Sequence, residues 1–509
     1  MKQLFHLSPL FTNHMVLQRD AYVPIWGTAD NGLKIQVEIC GQKKAAVCAN
    51  GQWRVLLAPL PGGGPFPMKI SCGEDQRLLE DVMFGDVFIA AGQSNMEFPL
   101  QDELHGSTEL KKEFPMSIRY YAVPQIEYED ETQRIPNLPE GSWELCSETS
   151  AREFSAIAHY FAQGLSRLQP KVPIGIIGCN KGGTSAACWI SEASLQCQPE
   201  LQETYVKPYL EAIEGQSGEA EAAGMAAYES VLQTYQKRLA AYQAEHPEAS
   251  LNEVKRVVGH TPWPPPFGRK CFLRPSGLYH TMLQKIVPYK AKAVLWYQGE
   301  EDTAHCKLYE KLLTCLLQDW RRDFTDLDLP FLIVQLPGYR DDKADKPADS
   351  WAIVRDAQRR VVQQIPHTGL VVALDCGEEY NIHPLDKQPV AERLLRLAQQ
   401  LLYGAVAAGM PPLYREMKQR GDELELRFAF APGDGFLPGQ AVRGVTLADA
   451  SGSYVPVQAK TEENSVIVCV QDKTAPFSVR YAWANNPQDA DLKSRQGLLA
   501  SPFCTAGEK

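Results

Sequence analysis

The fold class this 509-residue sequence predicts is α/β: a doubly wound parallel sheet with all-β regions at both ends of the chain. Three observations predict it. Short uncharged runs, Val87-Phe88-Ile89-Ala90, Ile174-Gly175-Ile176-Ile177, Ala293-Val294-Leu295-Trp296-Tyr297, Phe331-Leu332-Ile333-Val334 and Leu370-Val371-Val372-Ala373-Leu374, are apolar on both faces, as buried parallel strands are. Helical patterns follow several of them, around 308–322 and 390–402, which is the alternation of a wound sheet. Outside about 81–411 the texture changes to short alternating runs between turn clusters.

The N-terminal region, 1–80, holds runs such as Lys34-Ile35-Gln36-Val37-Glu38-Ile39 and Trp53-Arg54-Val55-Leu56-Leu57, with turns at Ala29-Asp30-Asn31-Gly32 and Gly62-Gly63-Gly64-Pro65. A small sandwich is expected there. The C-terminal region, 412–509, carries Glu423-Leu424-Glu425-Leu426-Arg427-Phe428 and Ser465-Val466-Ile467-Val468-Cys469-Val470 in the same style. Within 81–411, residues from about 197 to 272 interrupt the alternation. Met225, Tyr228, Leu232, Tyr235, Leu239 and Tyr242 keep a 3-4 spacing, one apolar face of a long helix. Such a stripe is first of all a packing face. The stiff stretch Thr261-Pro262-Trp263-Pro264-Pro265-Pro266-Phe267 follows, and its aromatics are candidates for the mouth of a site.

Composition narrows the function classes. The chain is 44% hydrophobic and 22% charged, within the range of globular proteins, and its length implies two to four domains. Net charge is −11 with no clustered Lys and Arg, which argues against a nucleic-acid partner. No apolar run is long enough to span a membrane, and no h-region follows Met1-Lys2, so the expected location is cytoplasmic, or secreted if a signal had been removed. Thirteen scattered cysteines, without CxxC or HExxH, point to free thiols and to neither a metal nor a cofactor.

The chemistry sits after the strands. Ser94 follows Ala91-Gly92-Gln93 where a helix would begin, and its own N–H can face a developing oxyanion. An N-capping serine alone would look the same. After Ile174–Ile177 comes Lys181-Gly182-Gly183-Thr184, and Gly183 N–H is a second candidate oxyanion donor; Trp189 lies beyond it as a candidate pocket wall. After Ala293–Tyr297 comes Gln298-Gly299-Glu300-Glu301-Asp302. Gln298 is a candidate third donor, and Glu300 is placed to orient the loop. After Leu370–Leu374 comes Asp375-Cys376-Gly377-Glu378-Glu379-Tyr380-Asn381-Ile382-His383, and His383 is the candidate general base. Four loops of one inferred sheet edge thus carry a nucleophile, a base and oxyanion donors. That edge is where open α/β sheets bind ligands.

These segments resemble the SGNH-hydrolase superfamily and, within it, the sialate O-acetylesterase family. The matching stretches are Gly85-Asp86-Val87, Gly92-Gln93-Ser94-Asn95-Met96-Glu97, Gly182-Gly183-Thr184 with Trp189, Trp296-Tyr297-Gln298-Gly299-Glu300, and Ile382-His383-Pro384 with Lys387 and Glu392-Arg393-Leu394. Met15-Val16-Leu17-Gln18-Arg19 and Trp26-Gly27-Thr28 add to them, so the likeness runs from about 12 to 405. The resemblance implies a three-layer α/β/α fold and metal-independent hydrolysis of an acetyl ester on sialic acid or another glycan. Ser94 would be acylated and His383 would be the base, with Ser94 N–H, Gly183 N–H and Gln298 around the oxyanion. Asn95, Trp189, Glu300 and Arg355 are candidate substrate contacts, with Arg355 or Arg274 suited to a sugar carboxylate.

Two departures stand out. The superfamily's usual acid, two or three residues before the His, is replaced by Tyr380 and Asn381. The expectation is a Ser–His dyad, or an orienter from elsewhere: Asp375 first, then Glu378, Glu379 or a neutral Asn381. Glu301 and Asp302 also replace the commoner Ser-Asn. Competing readings are a deacetylase of acetylxylan or another neutral polysaccharide, and a non-catalytic glycan-binding protein with a relict site.

Overall fold

The computed structural model describes residues 5–126, 141–341, 346–406, 409–448, 452–470 and 477–506. At its centre lies a mixed sheet built from β1 (Asp75–Gly92), β2 (Ile118–Ala122), β3 (Trp143–Leu145), β4 (Ile174–Asn180), β5 (Ala293–Tyr297), β6 (Phe331–Val334) and β7 (Thr368–Val371). The spatial order is β3-β2-β4-β1-β5-β6-β7. All neighbours run parallel except β3, which pairs antiparallel with β2 at one edge. Strands that immediately follow β1 lie on one side of it, and β5 to β7 lie on the other. The winding therefore reverses at β1, and a crevice opens at its carboxyl end.

The apolar runs account for this. Val87, Phe88, Ile89, Ala90 and Ala91 are all fully buried, as are Val294, Leu295 and Trp296 beside them. Each large apolar side chain removed from water stabilises the sheet by roughly 1.5–3 kcal/mol. The strand ends that carry the chemistry are fixed to this core. β1 itself extends upstream: Val16–Gln18 and Gly63–Cys72 pair with its first half, so the strand crosses residue 80 without a break. Arg19 and the Tyr403 hydroxyl both bind the buried Asp86 carboxylate on β1, tying the first residues of the chain to the sheet. From Leu413 onward the described strands form two separate four-stranded sheets.

Helices connect the strands: α1 (Ser94–Glu97), α2 (Ala156–Leu168), α3 (Gly218–Glu245), α4 (Leu251–Val258), α5 (Tyr309–Asp323), α6 (Ser350–Gln364) and α7 (Gln388–Tyr403). α2 packs on α7, and α5 on α6. In α5, Leu312, Leu313, Leu316, Leu317 and Trp320 form the buried face that a 3-4 spacing dictates. α7 starts with Pro389 in its first turn and ends at Gly404 in the left-handed region, a proline start and glycine stop.

α3 and α4 lie in the segment between β4 and β5, where the sequence predicts a helical insertion. Tyr235 is buried, while Met225, Tyr228, Leu232, Leu239 and Tyr242 are half-buried, so the predicted stripe is the inward face of α3. None of the thirteen cysteines is disulfide-bonded. Among the described residues, no helix is long and apolar enough to cross a membrane.

Candidate active site

Ser94 is the first residue of α1, directly past the end of β1. The turn that delivers it needs Gly92. That residue has φ +132°, and a Cβ there would lie 2.1 Å from the Tyr297 carbonyl oxygen of β5. Gln93, extended at the N-cap, has its carbonyl taken by Met96 and Glu97 N–H. The Ser94 N–H, at the first helical position, has no intrahelical acceptor.

His383 comes from the loop between β7 and α7, and its Nε2 lies 2.8 Å from Ser94 Oγ. This is hydrogen-bond distance for proton transfer between a nucleophile and its base. Gly182-Gly183, after β4, completes the group on the other side. Gly183 has φ +69°, and a Cβ on it would sit 2.1 Å from the Trp263 ring, so both backbone and space demand glycine. Ser94, Gly182, Gly183 and His383 line one cavity of about 410 Å³, within the usual size of a small-ligand site. A second, more open hollow lined by Phe98, Pro99, Gln101 and Glu153 meets it at Ser94 and His383. Ser94 and His383 thus stand where the two recesses meet.

Among the described residues, none of the side chains weighed as orienters of His383 holds its ring. Asp375 is solvent-exposed and paired with Arg393 at 2.6 and 3.0 Å, so it does not orient the imidazole. Asn381 does not orient the ring either. Its Oδ1 accepts the His383 N–H at 3.2 Å and its Nδ2 donates to the His383 carbonyl at 2.7 Å, so it clamps the backbone of the base. Glu378 accepts from Asn381 Nδ2 and Leu385 N–H, and Glu379 pairs with Arg340. Among the described residues no carboxylate is bonded to His383 Nδ1, which is the dyad arrangement. The ring pKa is pushed down to about 3, first by its enclosed position, then by the charges of Lys387 and Lys255.

Three other expected contacts are structural. Gln298 is fully buried, and both amide hydrogens are engaged, at 3.1 Å with the Thr184 carbonyl and 2.6 Å with Asp302. It is a brace under the glycine loop rather than an oxyanion donor. Trp189 is buried too, its indole N–H bonded to Thr184 Oγ1 at 3.0 Å, so it supports the same loop and is no pocket wall. Asn95 is buried with its amide donating to Glu300 Oε1 (2.6 Å) and the Ile382 carbonyl (3.0 Å), while its oxygen accepts from Lys387 Nζ (2.7 Å). It rivets three strand-end loops together and does not face substrate.

Arg355 is buried on α6 with its guanidinium spent on the carbonyls of Leu336, Pro337 and Ala484. Arg274 donates to the Cys271 carbonyl and lies outside the cavity lining. Neither cation faces the site. Glu300 does line the cavity; burial raises its pKa, and among the described residues its Oε2 has no hydrogen-bond partner.

The unusual Glu301 and Asp302 have clear physical roles. Asp302, fully buried, accepts from Ser185 Oγ (2.6 Å), Ala186 N–H (2.9 Å) and Gln298, so a carboxylate locks the stretch after Gly183. Glu301 accepts the Trp263 indole N–H at 2.9 Å. Glu97 accepts the Gly182 N–H, which sets the first glycine.

Sequence reasoning missed Lys255, His260 and Tyr339, which also line the cavity. The Pro-rich stretch did signal Trp263. Ser250-Leu251-Asn252-Glu253, a capping box, marks the start of α4, but nothing in it shows that Lys255 faces a site.

Several known proteins are similar to this chain. The family model described as carbohydrate esterase, sialic acid-specific acetylesterase matches residues 266–402. The sialate O-acetylesterase of Rattus norvegicus is 27% identical, covering 98% of this chain and 94% of the relative. That of Mus musculus is 27% identical over 79% of this chain and 74% of its own length. A carbohydrate acetylesterase from Xanthomonas citri has a solved structure that superposes with a TM-score of 0.77 at 27% identity, covering 99% of this chain and all of that one.

Proposed function

We propose that this chain is a member of the sialate O-acetylesterase family, to which it is similar, and that it hydrolyses O-acetyl esters of sialic acid through an acetyl-enzyme on Ser94. The observation that carries the assignment of roles is the 2.8 Å contact between His383 Nε2 and Ser94 Oγ at the edge of the substrate-sized cavity. His383 Nε2 takes the hydroxyl proton as Oγ attacks the acetyl carbonyl carbon. The tetrahedral oxyanion forms against the N–H groups of Ser94 and Gly183. Collapse breaks the bond to the sugar oxygen, which leaves with the proton from His383. Water then attacks the acetyl-enzyme by the same route, releasing acetate and restoring the serine.

His383 is neutral across the neutral pH range, the state a base requires. With no carboxylate at Nδ1 among the described residues, the imidazolium gains little stabilisation, so the burden shifts to the oxyanion donors. This explains why the glycine loop is so heavily braced, by Glu97, Gln298, Trp189 and Asp302. We also read the winding reversal at β1, with the helix pairs α2–α7 and α5–α6, as the SGNH-type three-layer arrangement. In that reading 81–411 is the catalytic domain and the β regions 1–80 and 412–509 flank it, with β1 running unbroken across the first boundary.

The test is hydrolysis of 4-nitrophenyl acetate, 9-O-acetyl-N-acetylneuraminic acid and acetylated xylan by the wild type and Ser94→Ala. Wild-type turnover of the sialate, lost in Ser94→Ala, is expected. Turnover of xylan but not sialate would replace the substrate, and full activity of Ser94→Ala would remove the nucleophile.

A further inference from the structure

α3 and α4 stand outside the sheet, yet their residues and the loop after them form a wall of the cavity: Lys255, His260, Thr261 and Trp263. The wall is fastened at defined points. Asn252 Oδ1 accepts the Tyr380 N–H (2.7 Å), Tyr235 and Tyr228 hydroxyls hold the Gly259 and Pro262 carbonyls (both 3.0 Å), and Trp263 reaches Glu301. The tyrosines of the α3 stripe therefore shape the cavity loop as well as packing the insertion.

Three lysines line this cavity, and their surroundings differ. Lys346 is neutralised by Asp341 at 3.0 Å and bonded to Thr303 at 2.7 Å. Lys181 lies over the Phe272 ring and donates to Gln125 at 3.1 Å. Lys255 donates to two neutral hydroxyls, Tyr235 at 2.8 Å and Thr261 at 3.3 Å, and stands 5.2 Å from the Tyr235 ring centre. Among the described residues no carboxylate pairs with it. A cation held in place by neutral groups on the wall of a cavity is set to receive an anion from a ligand, because its charge is not already spent.

We propose that Lys255 receives the C1 carboxylate of the sialate substrate, with Tyr235 and Thr261 holding the ammonium in position. This rests on the sialate reading above. It also answers two findings at once. The arginines expected to meet a sugar carboxylate point elsewhere, and a lysine of the insertion takes their place. Moreover, Lys255 is one of the charges that disfavour the His383 imidazolium. A substrate carboxylate bound to Lys255 cancels that charge as the reaction begins. The substrate thereby supplies negative charge near a base that has no acid of its own among the described residues, and the contact helps kcat as well as KM.

The experiment compares kcat/KM for 9-O-acetyl-N-acetylneuraminic acid and for its C1 carboxamide, which differ only in the charge. Because each enzyme is compared with itself, the ratio is independent of its folded fraction. The wild type is expected to prefer the acid by about tenfold to a hundredfold. The ratio falls to near one in Lys255→Gln, drops below one in Lys255→Glu, and is largely kept in Lys255→Arg. A wild-type ratio near one, with both sugars hydrolysed, overturns the proposal and leaves the esterase reading intact. A high ratio that persists in Lys255→Gln and Lys255→Glu assigns the carboxylate to another group. A wild type that cleaves 4-nitrophenyl acetate but neither sugar removes the sialate reading, and this proposal with it.

Discussion

The two walls of the active-site cavity are built differently. The sheet-edge wall, with Ser94, Gly183 and His383, places its reacting atoms on backbone turns. Buried groups grip those turns from behind: Asn95, Gln298, Trp189 and Asp302. The insertion wall presents Lys255 from α4 and His260 and Trp263 from the loop after it, and α3 and α4 expose most of their surface and bury little beyond Tyr235 and Val254. Chemistry that fails with a misplacement of an ångström sits on the core-fixed wall. Recognition, which tolerates adjustment, falls, under the proposed role of Lys255, to the wall that can vary without disturbing the sheet.

The sharpest way to break this contrast is at the nucleophile. Ser94→Ala should lower kcat by about 10⁴-fold or more, because the residual rate comes from oxyanion contacts alone. The check is single-turnover release of 4-nitrophenolate. Gly183→Ala follows in size. Its Cβ would meet the Trp263 ring at 2.1 Å, and φ +69° disfavours any side chain. Displacing this donor should cost roughly 10²–10³-fold in kcat. Here the two walls touch, so adding Trp263→Ala to Gly183→Ala divides the loss into two parts. Recovery of activity measures the clash, and the remainder measures the strained backbone. If Gly183→Ala retains wild-type kcat, Gly183 N–H is not an oxyanion donor.

The same contrast explains what was legible in the sequence. The sheet-edge wall was readable because Ser94 and Gly183 follow apolar runs within a few residues and His383 lies in the loop after another, so placing the strands places the loops. Ser94 after Val87–Ala90 and Gly183 after Ile174–Ile177 are both of this kind. Roles that depend on which way a side chain turns were not readable. Gln298 and Asn95 sit in the expected loops but point inward, since Asp302, Thr184, Glu300 and Lys387 offer buried partners there. Lys255 lies over a hundred residues from Ser94 and His383 in the chain, on a helix whose start the sequence marks but whose docking against Tyr380 it does not.

A smaller effect concerns the pH profile. A general base works only while neutral, and the His383 pKa is lowered from 6.5 to about 3. The acid limb of kcat/KM for a neutral acetate is therefore expected well below pH 6. Enclosure is the largest cause, followed by Lys387 and then Lys255. Lys387→Gln keeps a donor for Asn95 Oδ1 but removes the charge, so the limb should move up toward 6.5. A wild-type limb already at 6.5 would show that the ring is not held in this environment.

The smallest expected effect is the most discriminating. Asp375 ends the run that leads to His383, which makes it the natural choice for an acid from sequence order. Its carboxylate instead meets Arg393, whose guanidinium also donates to the Val372 carbonyl at 2.6 Å. Asp375→Asn should therefore change kcat by less than about threefold, and stability by no more than about 1 kcal/mol, since the pair is partly exposed. An orienting acid behaves otherwise: its loss leaves a wrong tautomer and costs about 10⁴-fold. The two outcomes are separated by three orders of magnitude in one kinetic measurement. The small one leaves Asn381, through the backbone of His383, as the residue that positions the base, so Asn381→Ala should then lower kcat more than Asp375→Asn does.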